Sequence, residues 1–421
     1  MARTLPEWLR YIEGLHPHAV DMGLERVVKV RDALGLAFEA PVIMVGGTNG
    51  KGSVCAMLES MLHAAGYRVG LYTSPHLLRY NERVRIDAAE ADDGVLAAAF
   101  EKVEAARADT ALTYFEFGTL AACLLFAQAK PDAIILEVGL GGRLDAVNAF
   151  EPDCAIVTSI GIDHVEYLGP TREHIGREKA GIFRSGRAAI CGDPDPPASL
   201  LEHARAIGAE LQIIGRDFAW EGDRAQWRYR GRGSVRAGLA APALRGLRQL
   251  ANASVCLAAL DALRERLPVN MQAVREGLAQ VQLPGRFQVL PGAPAVVLDV
   301  AHNPQAAAVL AENLRDMGAF ARTRGVIGML QDKDIDAVCA ALAGRIDDWY
   351  VASLGGPRGA SAERLAQAVE RSGAGGTISR FDSPRLALAE ALSKAGRNDR
   401  IVVFGSFLTV ADVMAARAAG A

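Results

Sequence analysis

The chain has 421 residues, of which half are hydrophobic and 23% charged. That balance excludes a disordered or fibrous protein and predicts two or three domains. Lys plus Arg total 46 against 49 Asp plus Glu, a net charge of −3, which argues against nucleic acid or an anionic membrane as the main partner. No uninterrupted apolar run approaches the ~18 residues of a membrane span. The amino-terminal MARTLPEWLRYIEGLHP carries charges and a proline where a signal peptide needs an apolar core. The cysteines (Cys55, Cys123, Cys154, Cys191, Cys256, Cys339) are scattered without a CxxC pair. They read as reduced core thiols, not as a disulfide frame or zinc site, and the expectation is a soluble cytoplasmic protein.

In chain order, a short apolar run at Val42–Val45 leads into GGTNGKGS, and a helical pattern follows near Val54–Ala65. Further strands are expected at Arg68–Tyr72, Ala133–Val138 and Ala155–Ser159, with helices at Gly94–Arg107 and Phe115–Gln128. Each strand ends in a polar or glycine-rich loop, where open α/β sheets place ligands. Punctuation at Asp193–Pro197 precedes a helix, then FAWEGDRAQWRYRGRG alternates like a hairpin. Helices around Leu250–Arg264 and Val269–Gln280 lead to LPGRF at Leu283–Phe287, a turn signal of the kind found at domain joints. A second βαβ series follows, with strands at Ala295–Val300, Gly325–Met329, Trp349–Ser353 and Ile401–Phe404 and helices starting at Gln305, Ile335 and Ala362. The alternation predicts α/β architecture with parallel sheets and a boundary near residues 283–290.

GGTNGKGS, Gly46–Ser53, lies between a predicted strand and a predicted helix. A phosphate-binding loop needs that context, because backbone N–H groups at a helix N-terminus must point at the polyphosphate. Lys51 can neutralise phosphate charge and Ser53 can contact a magnesium ion, although Gly52 separates the two, unlike the common Walker pattern. Without a ligand, the segment would be only a glycine-rich turn at a sheet edge.

GTNGKGS with its extra glycine resembles the Mur ligase superfamily of ATP-dependent amide-forming enzymes. Within it, the chain is similar to the dihydrofolate synthase/folylpolyglutamate synthase family. The resemblance runs through DMGLERV (Asp21–Val27), TSPHL (Thr73–Leu77), NERVRI (Asn81–Ile86), YFEFGTLAA (Tyr114–Ala122), LEVGLGGRLDAVN (Leu136–Asn148), SIGIDHVEYLG (Ser159–Gly169), REKAGI (Arg177–Ile182), LPGRFQ and LDVAHNP (Leu298–Pro304). It implies a P-loop-containing, Mur-ligase-like domain with a parallel sheet over residues 1–284. A smaller Rossmann-like α/β domain over 285–421 follows, with the active site between them.

The implied chemistry is phosphorylation of a carboxylate by ATP, attack of the glutamate amine on the acyl phosphate, and loss of phosphate. Several anionic oxygens must then lie close together, which calls for metal cations and fixed cationic side chains. By resemblance, Asn49, Gly50, Lys51, Gly52 and Ser53 bind ATP, with Asn252, Arg286 and Asp299 completing the nucleotide site. Two magnesium ions are implied, one held by Ser74 and Glu137 and the second by His164. Lys179 matches a lysine carbamylated by CO₂, and Lys51, Lys179, His164 and Arg286 are the expected catalytic set. Taken alone, Lys179 reads as an exposed helix cation beside Glu178, His164 as a loop or core histidine, and Asn303 as a helix N-cap before Pro304.

The implied pterin pocket uses Gly23, Leu24 and Arg26 with Phe115, Glu116, Leu144, Asp145 and Ala146. Phe115 can stack on the ring or belong to the core, and Glu116 or Asp145 can accept hydrogen bonds from pterin N–H groups. Gly118 inside the same helix marks a close approach by ligand or neighbouring chain. His302 and Asn303 are expected at the incoming glutamate. The implied partners are dihydropteroate, L-glutamate and tetrahydrofolate, with K⁺ as a further cofactor and a monomeric state. A ligase acting on UDP-sugar peptides is the nearest alternative, but its additional amino-terminal domain has no room before Gly46. A nucleotide-gated interaction protein would retain the phosphate loop without the folate-pocket and lysine matches.

Overall fold

The apolar runs VIMVG and AIILE become adjacent parallel strands in which every residue is buried. Such strands are hydrophobic on both faces because helices cover both sides of a parallel sheet. The computed structural model describes residues 3–419. They form two units: one comprises the chain up to Gly161, Val165–Ala243 and Leu250–Val281, and the other Ile162–His164, Leu244–Gln249 and the chain from Gln282.

The first unit contains β1 (Val42–Gly46), β2 (Val69–Tyr72), β3 (Val84–Ile86), β4 (Ala89–Glu90), β5 (Ala133–Glu137), β6 (Cys154–Val157), β7 (Ala188–Cys191) and β8 (Glu210–Ile213). They make one sheet in the order β4-β3-β2-β5-β1-β6-β7-β8, parallel except at the β2–β3 and β3–β4 pairings. A smaller antiparallel sheet follows, with β9 (Ala219–Gly222), β10 (Trp227–Gly231) and β11 (Ser234–Leu239) in the order β11-β10-β9. The arginine-rich segment thus forms the expected hairpin and adds a third strand. The Tyr114–Ala129 helix is buried along most of its length and starts with a capping box, Thr113 and Glu116. Its Gly118 answers to a close approach within the chain: a Cβ there would lie 2.4 Å from the Tyr80 hydroxyl.

The second unit contains β12 (Gln288–Leu290), β13 (Ala295–Leu298), β14 (Thr323–Ile327), β15 (Asp348–Ala352), β16 (Thr377–Phe381) and β17 (Arg400–Phe404). Their order is β12-β13-β17-β14-β15-β16, with only β12 antiparallel to its neighbour. Its own core gathers Val297, Ile327, Trp349, Val402 and Phe404 against helix residues such as Leu310, Val338 and Leu365. The architecture is α/β with parallel sheets, as expected. The six named cysteines are all buried and free. Among the described residues, no helix is long and apolar enough to cross a membrane.

Candidate active site

The register of the first sheet assembles one site from the C-terminal ends of four neighbouring strands. Glu137 pairs with Val45 and Gly46 with Val157, so the loops after β5, β1 and β6 leave side by side. The loop carrying Ser74 leaves from β2 on the other side of β5. This is the edge at which open α/β sheets bind ligands.

Backbone geometry dominates the phosphate loop. Gly47 has φ +138°, and a Cβ there would fall 2.0 Å from the Thr158 Oγ1. The loop is tied to the β6 segment: Thr48 N–H donates to the Ser159 carbonyl at 2.8 Å, and the Thr158 hydroxyl donates to the Asn49 carbonyl at 2.7 Å. Gly50, in the left-handed region, caps the Lys51–Ala64 helix, whose first turn carries no acidic residue. The helix start therefore keeps its partial positive charge for an anion. Lys51 Nζ donates to the Gly47 carbonyl at 3.0 Å, which folds the ammonium over the loop. Ser53 is buried in the first turn of the helix. Asn252 belongs to this unit, and its Oδ1 lies 3.0 Å from where a Gly50 Cβ would stand.

Glu137 is 4% exposed and accepts the Ser74 backbone N–H at 2.8 Å. The carboxylate and the serine loop are therefore fixed together. Hard oxygen donors of this kind suit a magnesium-type cation that takes its remaining ligands from water and phosphate. Among the described residues, no group of three or more His, Cys, Asp and Glu forms a self-sufficient metal cage.

Lys179 lies in the last turn of the Arg172–Ala180 helix and is 3% exposed, so it is not a solvated helix cation. The GLGGRLD loop packs on it: a Cβ at Gly142 would lie 3.1 Å from the Lys179 Cα. Arg143 of the same loop pairs with Glu178 at 2.8 Å.

The pterin-pocket candidates are joined in part by a polar chain. Arg26 donates to the Glu116 carboxylate at 3.1 Å and pairs with Asp21 at 2.8 Å. Glu116 also accepts the Thr113 N–H at 2.7 Å, so its acceptors serve the helix cap and Arg26. Gly23 is buried and Leu24 half-buried just before the Glu25–Ala33 helix. Phe115 lies against Gly139, where a Cβ would meet its ring at 2.6 Å, and 5.9 Å from the Tyr72 ring. Asp145 caps Ala146–Ala149 and accepts the Leu140 N–H at 2.8 Å. Burial pushes its carboxyl up to about 7, against the pull of the Leu140, Val147 and Gly139 amides and of Lys51. Leu144 is half-buried and Ala146 buried beside it.

The remaining candidates lie in the second unit. The Arg286 guanidinium stacks over the Phe407 ring at 4.8 Å. Asp299 accepts the Phe287 N–H at 2.9 Å and the Ala301 N–H at 2.8 Å. Burial pushes its carboxyl upward against the Ala301 amide, Arg286, the Phe287 amide and His302. Asn303 caps the Pro304–Asp316 helix by accepting the Ala306 N–H at 2.9 Å, while its Nδ2 donates to Asp163 at 3.1 Å. His302 Nε2 lies 3.5 Å from the same carboxylate. His164 has φ +50°, and its Nε2 lies 3.3 Å from the Lys333 ammonium.

Family models match both halves of this arrangement. Residues 45–205 match the Mur ligase middle domain and residues 285–407 the Mur ligase glutamate ligase domain. A dihydrofolate synthase/folylpolyglutamate synthase of Escherichia coli strain K12 is 48% identical over 98% of this chain and 95% of its own. The chain belongs to the dihydrofolate synthase/folylpolyglutamate synthase family. Among solved members, E. coli FolC in complex with DHPP and ADP superposes with a TM-score of 0.94 at 47% identity, covering 100% of this chain and 99% of that one. A bifunctional member with Mn, AMPPNP and L-glutamate bound gives 0.91 at 46% identity, covering 99% and 98%.

Two residues of the second-unit cluster were not singled out from the sequence: Asp163, which lies inside the SIGIDHVEYLG segment beside His164, and Lys333. Lys333 Nζ donates to Asp163 Oδ1 at 2.7 Å although 170 positions separate them. The available signal was positional: Lys333 sits in the polar loop after β14, at the end of a parallel strand.

Proposed function

We propose that the edge formed by β2, β5, β1 and β6 binds ATP with a divalent cation, and that its residues carry the phosphoryl transfer of a folate-forming ligase. As a family member, the chain is an ATP-dependent amide ligase. It joins L-glutamate to 7,8-dihydropteroate and adds further glutamates to the γ-carboxylate of reduced folates. The observation that carries the residue assignment is the joint presence of the Gly47 loop, which has no room for a Cβ, Lys51 and the buried Glu137 at the ends of neighbouring strands.

Asn49 to Ser53 cradle the phosphates through backbone N–H groups, and Lys51 neutralises charge on the transferred group. By the family resemblance, Asn252, Arg286 and Asp299 also take part in nucleotide binding. Ser74 and Glu137 would hold one cation and His164 a second; the ions would offset repulsion between phosphate and carboxylate oxygens. Lys179 bears a carbamate formed from CO₂. Its 3% exposure, which sets it apart from a solvated helix cation, supports this reading. The ATP γ-phosphate passes to the substrate carboxylate, the glutamate amine attacks the acyl phosphate, and phosphate leaves. Phe115, Leu24, Leu144 and Ala146 supply apolar wall to the pterin, with Gly23 allowing close approach. Asp145 and the Arg26–Glu116 pair set its polar contacts. His302 and Asn303 receive glutamate. Tetrahydrofolate as extension substrate, K⁺ as activating cation, a monomeric state and a cytoplasmic location complete the proposal.

The test is a coupled phosphate-release assay with ATP, Mg²⁺, dihydropteroate and glutamate. Glutamate-dependent turnover that disappears in Lys51→Ala, with the fold intact by circular dichroism, is expected. Turnover with a UDP-peptide acceptor and none with dihydropteroate would overturn the substrate assignment.

A further inference from the structure

Asp163 is a half-buried residue whose carboxylate the mechanism above leaves unused. Its side chain is 10% exposed, and donors from three separate loops converge on it. Lys333 Nζ reaches Oδ1 at 2.7 Å, Asn303 Nδ2 reaches Oδ2 at 3.1 Å, and His302 Nε2 stands 3.5 Å from Oδ2. The backbone N–H of His164 adds a bond to Oδ1 at 2.8 Å. The segment is shaped for this role. His164 adopts φ +50°, an uncommon backbone state for a residue with a side chain, which the surroundings must hold in place. The three loops are the Ile162–His164 segment and those after β13 and β14, all within the second unit.

A carboxylate so placed fixes the rotamers of its donors. His302 Nδ1 lies 2.9 Å from the Val300 carbonyl, which accepts when that nitrogen carries the proton. The imidazole thus stands between two acceptors, the Val300 carbonyl and the Asp163 carboxylate. Asn303 is held at both ends of its amide, by Asp163 and by the Ala306 N–H. Lys333 is 7% exposed along its side chain and has Asp163 as its short-range counter-ion; the next carboxylate, Asp332, is at 4.0 Å. Removing Asp163 would leave a buried ammonium without its close partner and release three side chains at once.

We propose that Asp163 is a positioning residue for the amine substrate: it sets Lys333, His302 and Asn303 in one constellation and acts on glutamate only through them. The proposal rests on the reading of His302 and Asn303 as glutamate contacts. Because Asp163 adjoins His164, the test also separates a metal role from a glutamate role.

The experiment measures KM for ATP, dihydropteroate and glutamate, and the Mg²⁺ dependence, in the full-length wild type, D163N, D163E and H302A. For D163N the glutamate KM is expected to rise about 10- to 100-fold, with the other two KM values and the Mg²⁺ midpoint within about twofold. D163E, which keeps the charge, recovers part of that loss. An unchanged glutamate KM in D163N with a raised one in H302A overturns the positioning role alone. An unchanged value in both D163N and H302A overturns the glutamate reading beneath it. A shifted Mg²⁺ midpoint, or an equal rise in all three KM values, also overturns the proposal, because Asp163 then acts through His164 or through the fold.

Discussion

The two sheets end in sites built from different material. At the edge of the eight-stranded sheet the phosphate loop is shaped by backbone: left-handed glycines, N–H groups at a helix start and carbonyls that hold Lys51. At the edge of the six-stranded sheet the cluster is made of side chains gathered on one carboxylate, Asp163. A backbone site fails when a Cβ is added, because its walls leave no space. A side-chain site fails when a functional group is removed, because its donors lose their shared anchor.

The most disruptive single atom should therefore be a Cβ at Gly47. Gly47→Ala places it 2.0 Å from Thr158 Oγ1 and 2.9 Å from the Thr158 nitrogen, at φ +138°. Backbone cannot yield as a flexible side-chain tip would. Calorimetric titration with a non-hydrolysable ATP analogue should show affinity reduced at least about 100-fold. Gly344→Ala, where nothing stands within 4 Å of the added Cβ, should bind like wild type. Tight binding by Gly47→Ala would break the contrast between the two edges.

That contrast also explains what could be read in advance. The phosphate loop is contiguous, so its glycines and Lys51 were visible as one string. The Asp163 cluster is assembled from positions 163, 302, 303 and 333, and only folding brings them together. Val42–Gly46 and Ala133–Glu137 were legible because fully buried parallel strands are continuous apolar runs. The β3–β4 hairpin was not, because its turn places Asp87 and Ala88 at positive φ without the glycine that usually marks such a turn. Thr113–Glu116 had the spacing of a capping box, yet the resemblance drew attention to Glu116 as a pterin acceptor. Its carboxylate is shared between that cap and Arg26.

Asp145 sharpens the comparison through pH. Its carboxyl is raised from the ordinary value of 3.8 to about 7 by burial. Below about pH 4 it is protonated in both the folded and unfolded chain and carries no penalty. Between there and about 7 the unfolded chain ionises while the folded chain keeps its proton, so stability falls as pH rises, by up to about 4 kcal/mol. Above 7 the contribution is flat. Asp145→Asn removes the titration but turns an amide toward the Leu140 and Val147 N–H donors. Urea denaturation should find the variant less stable than wild type at about pH 5, with the gap narrowing toward about pH 8. A gap that stays constant from about pH 5 to about pH 8 would show that Asp145 is already ionised in the folded protein.

The smallest effect expected separates two roles of one residue. Asn303 caps the Pro304–Asp316 helix through Oδ1 and donates to Asp163 through Nδ2. Asn303→Asp keeps a good capping group but sets a second carboxylate oxygen where Nδ2 stands 3.1 Å from Asp163. Asn303→Ala loses the cap, about 1 kcal/mol, without adding charge. If the donor cluster is what matters, Asn303→Asp should raise the glutamate KM more than Asn303→Ala, and mild acidification should relieve the difference by protonating one carboxylate of the pair. If the cap alone matters, thermal denaturation will rank the alanine variant as the more damaged, and the glutamate KM of the two will agree.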